Sequence, residues 1–310
     1  MPGGRLILMK RMAVLLVLAL VMSVLPVAAE GRLNVVATNF PCYDFARQVV
    51  GDRGTVTLLI KPGVEVHSYE PTPADIIAIG EADLFAYIGG EGDAWADNIL
   101  SGFDGGDAPA TLRMMDAVSL LEEEGDDDHD AHDAPEYDEH IWTSPKNAMA
   151  MVQAMADALC AIDADNADAY RASSEAYIGE IAALDAAFEE VVKNGARREL
   201  VFADRFPFLY FTRAYGLDYV SAFPSCTADT EPTPQILLTL IQRVVGDHIP
   251  VVYAIELSTQ AVAKTVAEET GAGILTLHSM QTVTQDEFDA GETYVSIMTR
   301  NLEAVRKGLE

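Results

Sequence analysis

The chain has 310 residues, half of them hydrophobic, and carries 49 acidic against 20 basic side chains for a formal net charge of −29. Such a surface repels nucleic acid and anionic lipid and draws cations toward it. The three cysteines, Cys42, Cys160 and Cys226, are far apart and contain no C-x-x-C, so they suggest neither a zinc ribbon nor a thioredoxin-like site; one disulfide with a spare thiol and three buried thiols stay open.

In chain order, Arg5, Lys10 and Arg11 precede an apolar run from Met12 to Val24, followed by the small residues Val27-Ala28-Ala29. This pattern predicts an export leader over residues 1–29, too short to favour a membrane span, with an uncleaved anchor as the alternative. No cysteine follows the apolar run, so the pattern does not support a lipid anchor there. Leu33 to Thr38, Thr55 to Ile60 and Leu84 to Ile88 are predicted strands, and Tyr43 to Val50 and a segment opening at Thr72-Pro73 are predicted helices. Short apolar strands alternating with helices argue for parallel sheets covered on both faces.

Residues 122–139 break the pattern with eleven acids, two histidines (His129 and His132) and almost nothing apolar, which predicts a solvated loop. Helices follow from Ala148 to about Ala161 and from about Asn166 to Lys193, the second marked by Tyr177, Ile181, Leu184, Phe188 and Val191 in one stripe and stopped at Asn194-Gly195. Strands are then predicted at Glu199–Ala203, Tyr219–Phe223, Val251–Ile255 and Gly273–Leu277. The expectation is an α/β protein of two lobes with mainly parallel sheets: 30–165, a linking helix over 166–195, and 196–310. One continuous sheet is the alternative.

Three of the six histidines stand in distinctive surroundings: His67 in His67-Ser68-Tyr69-Glu70-Pro71-Thr72-Pro73, His140 in Glu139-His140-Ile141-Trp142-Thr143-Ser144-Pro145, and His278 directly after a predicted strand. Neutral imidazole suits Zn²⁺ and other late divalent metals. In open α/β sheets ligands gather at the carboxyl ends of strands, where histidines from two lobes can meet across a cleft.

The His67 and His140 segments resemble the first and second metal-ligand motifs of the zinc/manganese solute-binding proteins of ABC importers, and the acidic histidine-containing loop ahead of His140 is similar to that of the family's zinc members. The resemblance spans the whole mature chain. It implies a four-ligand site: His67, His140, a third ligand from the second lobe, and a fourth at His278, where the family uses aspartate. At the third position this sequence departs from the family, because counting back from Tyr215-Gly216-Leu217 places Arg205 there. A permanently protonated guanidinium cannot coordinate metal. Asp204 next to it is the favoured substitute, with three histidines plus water as the other solution. Glu256 is a candidate for orienting a ligand histidine or for an exposed strand-end carboxylate.

The resemblance thus implies a periplasmic or otherwise extracytoplasmic, monomeric binding subunit that carries Zn²⁺, with Mn²⁺ as the alternative cargo, to an ABC permease and its ATPase. A metal-dependent adhesin or zinc buffer is the second reading. A secreted zinc hydrolase ranks below both, since neither H-E-x-x-H nor G-x-S-x-G occurs.

Overall fold

A computed structural model describes residues 32–103, 108–123, 136–223 and 232–310. The predicted leader, His129, His132 and Cys226 lie outside the described residues. From Leu33 onward the chain forms one compact unit.

Strand β1 (Leu33–Ala37) leads into helix α1 (Phe40–Val50), whose first turn is capped by the Asn39 side chain accepting from the Cys42 N–H. Strand β2 (Gly54–Leu58), helix α2 (Pro73–Gly80), strand β3 (Leu84–Tyr87), helix α3 (Ala94–Leu100) and strand β4 (Ala110–Arg113) complete the first sheet. All pairings are parallel, in the order β2-β1-β3-β4, with Leu33 opposite Gly54 and Val35 opposite Leu84. Central β3 is buried at every position, while edge strand β2 alternates and exposes Thr55 and Thr57. This is the contrast expected between strands covered on both faces and one facing water.

Two long helices follow: α4 (Pro145–Ile162) and α5 (Ala167–Asn194). The buried stripe of α5 runs Tyr170, Ser174, Tyr177, Ile181, Leu184, Phe188 and Val192. The predicted stripe is right except at its last turn, where Val192 is buried and Val191 only half-buried. The next spacing of four carries the helix face onto Val192.

The second half repeats the topology of the first. Strand β5 (Glu199–Phe202), helix α6 (Leu209–Tyr215), strand β6 (Asp218–Ser221), helix α7 (Pro234–Gly246), strand β7 (Val251–Ala254), helix α8 (Ala261–Thr270) and strand β8 (Gly273–Thr276) build a parallel sheet ordered β6-β5-β7-β8. Helices α9 (Gln285–Asp289) and α10 (Tyr294–Leu309) close the chain. Two sheets, rather than the alternative of one continuous sheet, is the observed arrangement.

The inner faces of the two sheets share one core. Val35, Ala37 and Leu84 from the first and Leu200, Phe202 and Tyr253 from the second pack in a single apolar cluster with α1, α4, α5 and α10. Each outer face has its own cluster, around Val36, Phe85 and Ile79 in one half and Val201, Val252 and Leu240 in the other. The buried Asp44 of α1 ties three helices together: it pairs with Arg47 at 2.7 Å, accepts from the Tyr177 hydroxyl of α5, and accepts the Tyr294 N–H at the start of α10 at 2.8 Å. The architecture therefore holds the carboxyl ends of both sheets on a common apolar base.

Candidate metal centre

After β2 the chain turns at Lys61-Pro62-Gly63, where Gly63 takes a positive φ of 79° and donates its N–H to the Val283 carbonyl at 2.8 Å. This bond anchors the loop carrying His67 to the loop between β8 and α9. His67 then precedes α2, which starts with a capping box of Thr72 and Asp75 and with Pro73 in its first turn.

His140 is fixed from several sides. Asp138 donates its N–H to the Leu121 carbonyl at 3.0 Å, Glu123 donates to the Glu136 carbonyl at 2.9 Å, and Glu122 bridges Tyr137 in antiparallel fashion. The ends of the acidic segment predicted as loop are therefore paired. The Tyr210 hydroxyl of α6 donates to the Asp138 carbonyl at 2.8 Å and accepts the Leu121 N–H at 3.0 Å. Downstream, Trp142 donates its indole N–H to the Ser279 carbonyl at 2.7 Å, joining this segment to the loop after β8.

These anchors bring two imidazoles together, with ring centroids 5.7 Å apart. His67 Nδ1 lies 3.0 Å from Glu139 Oε1, and His140 Nδ1 lies 3.1 Å from Asp138 Oδ1. An ionised carboxylate only accepts, so each Nδ1 carries the ring proton and each Nε2 presents a lone pair. The two Nε2 atoms converge on the side-chain amide nitrogen of Gln281, 2.8 Å from His67 Nε2 and also in contact with His140 Nε2. A carboxylate behind each ring and an Nε2 lone pair in front is the donor arrangement of metal-ligating histidines. His67, Glu139 and His140 are also close enough to offer three ligand atoms to one ion.

Glu139 reaches His67 because glycines line its path. Its Oε2 accepts the Gly92 N–H at 2.9 Å, and a Cβ on Gly92 would sit 2.6 Å from Oε1. Burial alone would raise the Glu139 carboxyl, but the hydrogen bonds from His67 and the Gly92 N–H and the closeness of both imidazoles hold it below the usual carboxylate range. Asp93 lies on the same stretch and accepts the Ile88 and Gly89 N–H groups at 2.7 and 3.2 Å. Burial, reinforced by the charge of Glu139 and opposed by those two N–H groups, pushes its carboxyl up to about 7. A cavity of about 500 Å³ opens beside the paired histidines, and Glu91, Glu123, Glu136 and Glu139 line it with Arg113. Its acidic walls favour the approach of cations.

Of the four residues expected as ligands, the structure brings His67 and His140 together and does not bring His278 or Asp204 into their cluster. His278 follows β8 as expected, but its backbone is clamped by Asn301 of α10, which accepts the His278 N–H and donates to its carbonyl, both at 2.8 Å. The Met280 N–H donates to His278 Nδ1 at 3.0 Å, leaving Nε2 to face Glu287 at 3.6 Å. Glu287 also pairs with Arg300 at 2.8 Å, and the neighbouring His278 is the largest influence holding its carboxyl down to about 2. Met280 turns the chain through a left-handed φ of 65°, and Gln281 is the residue of this loop that reaches the imidazoles. Glu256 binds the Ser279 N–H and hydroxyl, so it braces the loop from behind.

Asp204 follows β5 and is buried; its Oδ1 accepts the Arg205 N–H at 2.9 Å, while its Oδ2 has no hydrogen-bond partner. Arg205 reaches across to Glu65 at 3.2 Å. The contacts missed from sequence are those of Asp138, Glu139 and Gln281. The first two stand within two positions of His140, a signal that was available; nothing in the sequence distinguished Gln281 from its neighbours.

Two parallel sheets on a common helical base, with paired imidazoles at their carboxyl ends, define a binding protein of the α/β solute-capturing class. Residues 35–308 match the family model described as ZnuA, zinc-uptake complex component A, periplasmic. The zinc-binding lipoprotein AdcA of Streptococcus pneumoniae serotype 4 is 34% identical over 285 residues, covering 90% of this chain and 56% of that protein. The chain thus spans little more than half the length of that relative. The high-affinity zinc uptake system protein ZnuA of Bacillus subtilis is 31% identical over 284 residues, covering 90% of this chain and 88% of that one. The Zn(II)-bound ZnuA-like domain of S. pneumoniae AdcA superposes with a TM-score of 0.76 at 30% identity, covering 90% of this chain and 99% of that one. The chain belongs to the ZnuA family, which is a family of binding components and not a class of enzymes.

Proposed function

We propose that this protein is the extracytoplasmic binding subunit of a zinc importer, which captures Zn²⁺ at His67 and His140 and delivers it as a single chain to an ABC permease and its ATPase. The carrying observation is the pair of imidazoles, one buried and one half-buried, with protonated Nδ1 atoms on Asp138 and Glu139 and convergent Nε2 lone pairs. Membership of a zinc-uptake family supports the same cargo. Two nitrogen donors favour zinc over manganese, which prefers more oxygen. Asp204 is the proposed further ligand, an assignment supported by its buried, unpartnered Oδ2. His278 is left out of the proposed ligand set because its Nδ1 accepts the Met280 N–H and its Nε2, though without a hydrogen-bond partner, faces Glu287 at 3.6 Å.

Calorimetric titration of the exported chain with Zn²⁺ and Mn²⁺ tests this reading. Tight zinc binding near one equivalent, lost in both His67→Ala and His140→Ala and kept in His278→Ala, is the expected result. Wild-type affinity in the first two variants would overturn it.

A further inference from the structure

The amide of Gln281 occupies the point on which the two imidazole lone pairs converge. Its nitrogen is 2.8 Å from His67 Nε2 and contacts His140 Nε2 as well, and the residue is 5% exposed. The orientation of the amide follows from donor counting. With both Nδ1 protons committed to Glu139 and Asp138, both Nε2 atoms are acceptors. An amide oxygen turned toward them would set lone pairs against lone pairs, whereas the NH₂ group offers one N–H to each ring. Zinc held at about 2.0–2.1 Å from two imidazole nitrogens cannot share that point with an amide nitrogen. Cation and amide therefore compete for the same two lone pairs.

We infer that Gln281 is a built-in competitor that limits the affinity of the site and eases release of its cargo; this rests on His67 and His140 being the zinc ligands. When the cation leaves, the amide restores a hydrogen bond to each imidazole, so release leaves neither acceptor to be satisfied by water alone. On entry the cation must first push the amide aside. Gln281 can act in this way because its loop is held independently of its side chain: Trp142 binds the Ser279 carbonyl, Glu256 binds the Ser279 N–H, and Gly63 binds the Val283 carbonyl. A carrier gains from such a device, since a site of unrelieved imidazoles would hold zinc too firmly to pass it on.

The test replaces the amide with an apolar group of similar length, Gln281→Met, and with a smaller one, Gln281→Ala, in case one of them packs badly. Zinc affinity is measured by competition with a chelator of known strength, and association and release rates by stopped flow. Both variants are expected to bind zinc roughly tenfold or more tightly, the equivalent of losing competing hydrogen bonds of ordinary strength, with slower release. Equal or weaker zinc binding in two folded variants, while His67→Ala still abolishes it, would overturn the competitor role and leave the metal site standing. Wild-type affinity in His67→Ala and His140→Ala would instead remove the site itself.

Discussion

The Glu139 carboxylate lies 3.0 Å from His67 Nδ1, so a residue next to one histidine in sequence sets the tautomer of another seventy-odd positions away. Asp138 does the same for His140 from within the same tripeptide. One short segment thereby prepares both imidazoles.

Removing the carboxylate behind His67 should weaken zinc binding without touching the metal directly. Glu139→Ala is expected to cost about 10- to 100-fold in affinity, the usual range for partners of ligating histidines. Glu139→Gln should cost less, since an amide oxygen can still accept from Nδ1. Chelator competition measures both; equal affinity in wild type and Glu139→Ala would show that the 3.0 Å contact is incidental.

Much of the fold was legible in the sequence because strands buried on both faces are short apolar runs and α5 is one apolar stripe. Strands β1, β2 and β3 of the first sheet and all four of the second fall where periodicity places them. Strand β4 was missed because Ala-Thr-Leu-Arg at an edge is half-exposed and has no distinctive pattern. His67 and His140 were legible from their local sequence. Gln281 was not, since its placement against the imidazoles depends on a left-handed turn at Met280 and on anchors contributed by Trp142 and Gly63. His278 directed attention to the loop that also carries Gln281, but its own contacts with α9 and α10 were not legible, because those elements are distant in sequence.

Asp93 makes stability depend on pH. Its carboxyl is raised from 3.8 to about 7 in the fold. The folded chain thus holds a proton that the unfolded chain has lost across that interval, and stability from this group is complete below 3.8 and lost as pH rises through about 7. In the presence of a chelator, the unfolding free energy from urea titrations should fall between about pH 5 and about pH 8, by on the order of a few kcal/mol. Asp93→Asn, which keeps an acceptor for the Ile88 and Gly89 N–H groups, should flatten that dependence. An unchanged slope in the variant would assign the pH effect elsewhere.

Gly308 tests the common base of the two sheets. Tyr253 of β7 is fully buried, and its hydroxyl donates to the Ala304 carbonyl of α10 at 3.1 Å. A Cβ on Gly308 would lie 1.8 Å from that hydroxyl, and the buried ring has no room to retreat. Gly308→Ala should therefore destabilise the fold by about 1–3 kcal/mol or more, despite the better helix propensity of alanine. Chemical denaturation reads the change, and a stabilised variant would contradict the packing of α10 on β7.

Gly92 separates the geometry of the site from its chemistry, because it carries no side chain and no ligand atom. A methyl group there would stand 2.6 Å from Glu139 Oε1 and displace the carboxylate from His67 without removing any titratable group. Gly92→Ala should reproduce the zinc-binding loss of Glu139→Ala, since both leave Nδ1 of His67 without its acceptor. Because Gly92 is half-buried in a loop outside the main core, the thermal midpoint should move little. Combining the two substitutions should add little to either alone, as expected when both act through one contact. Full additivity in the double variant would mean that Gly92 influences zinc by a route other than the Glu139–His67 pair.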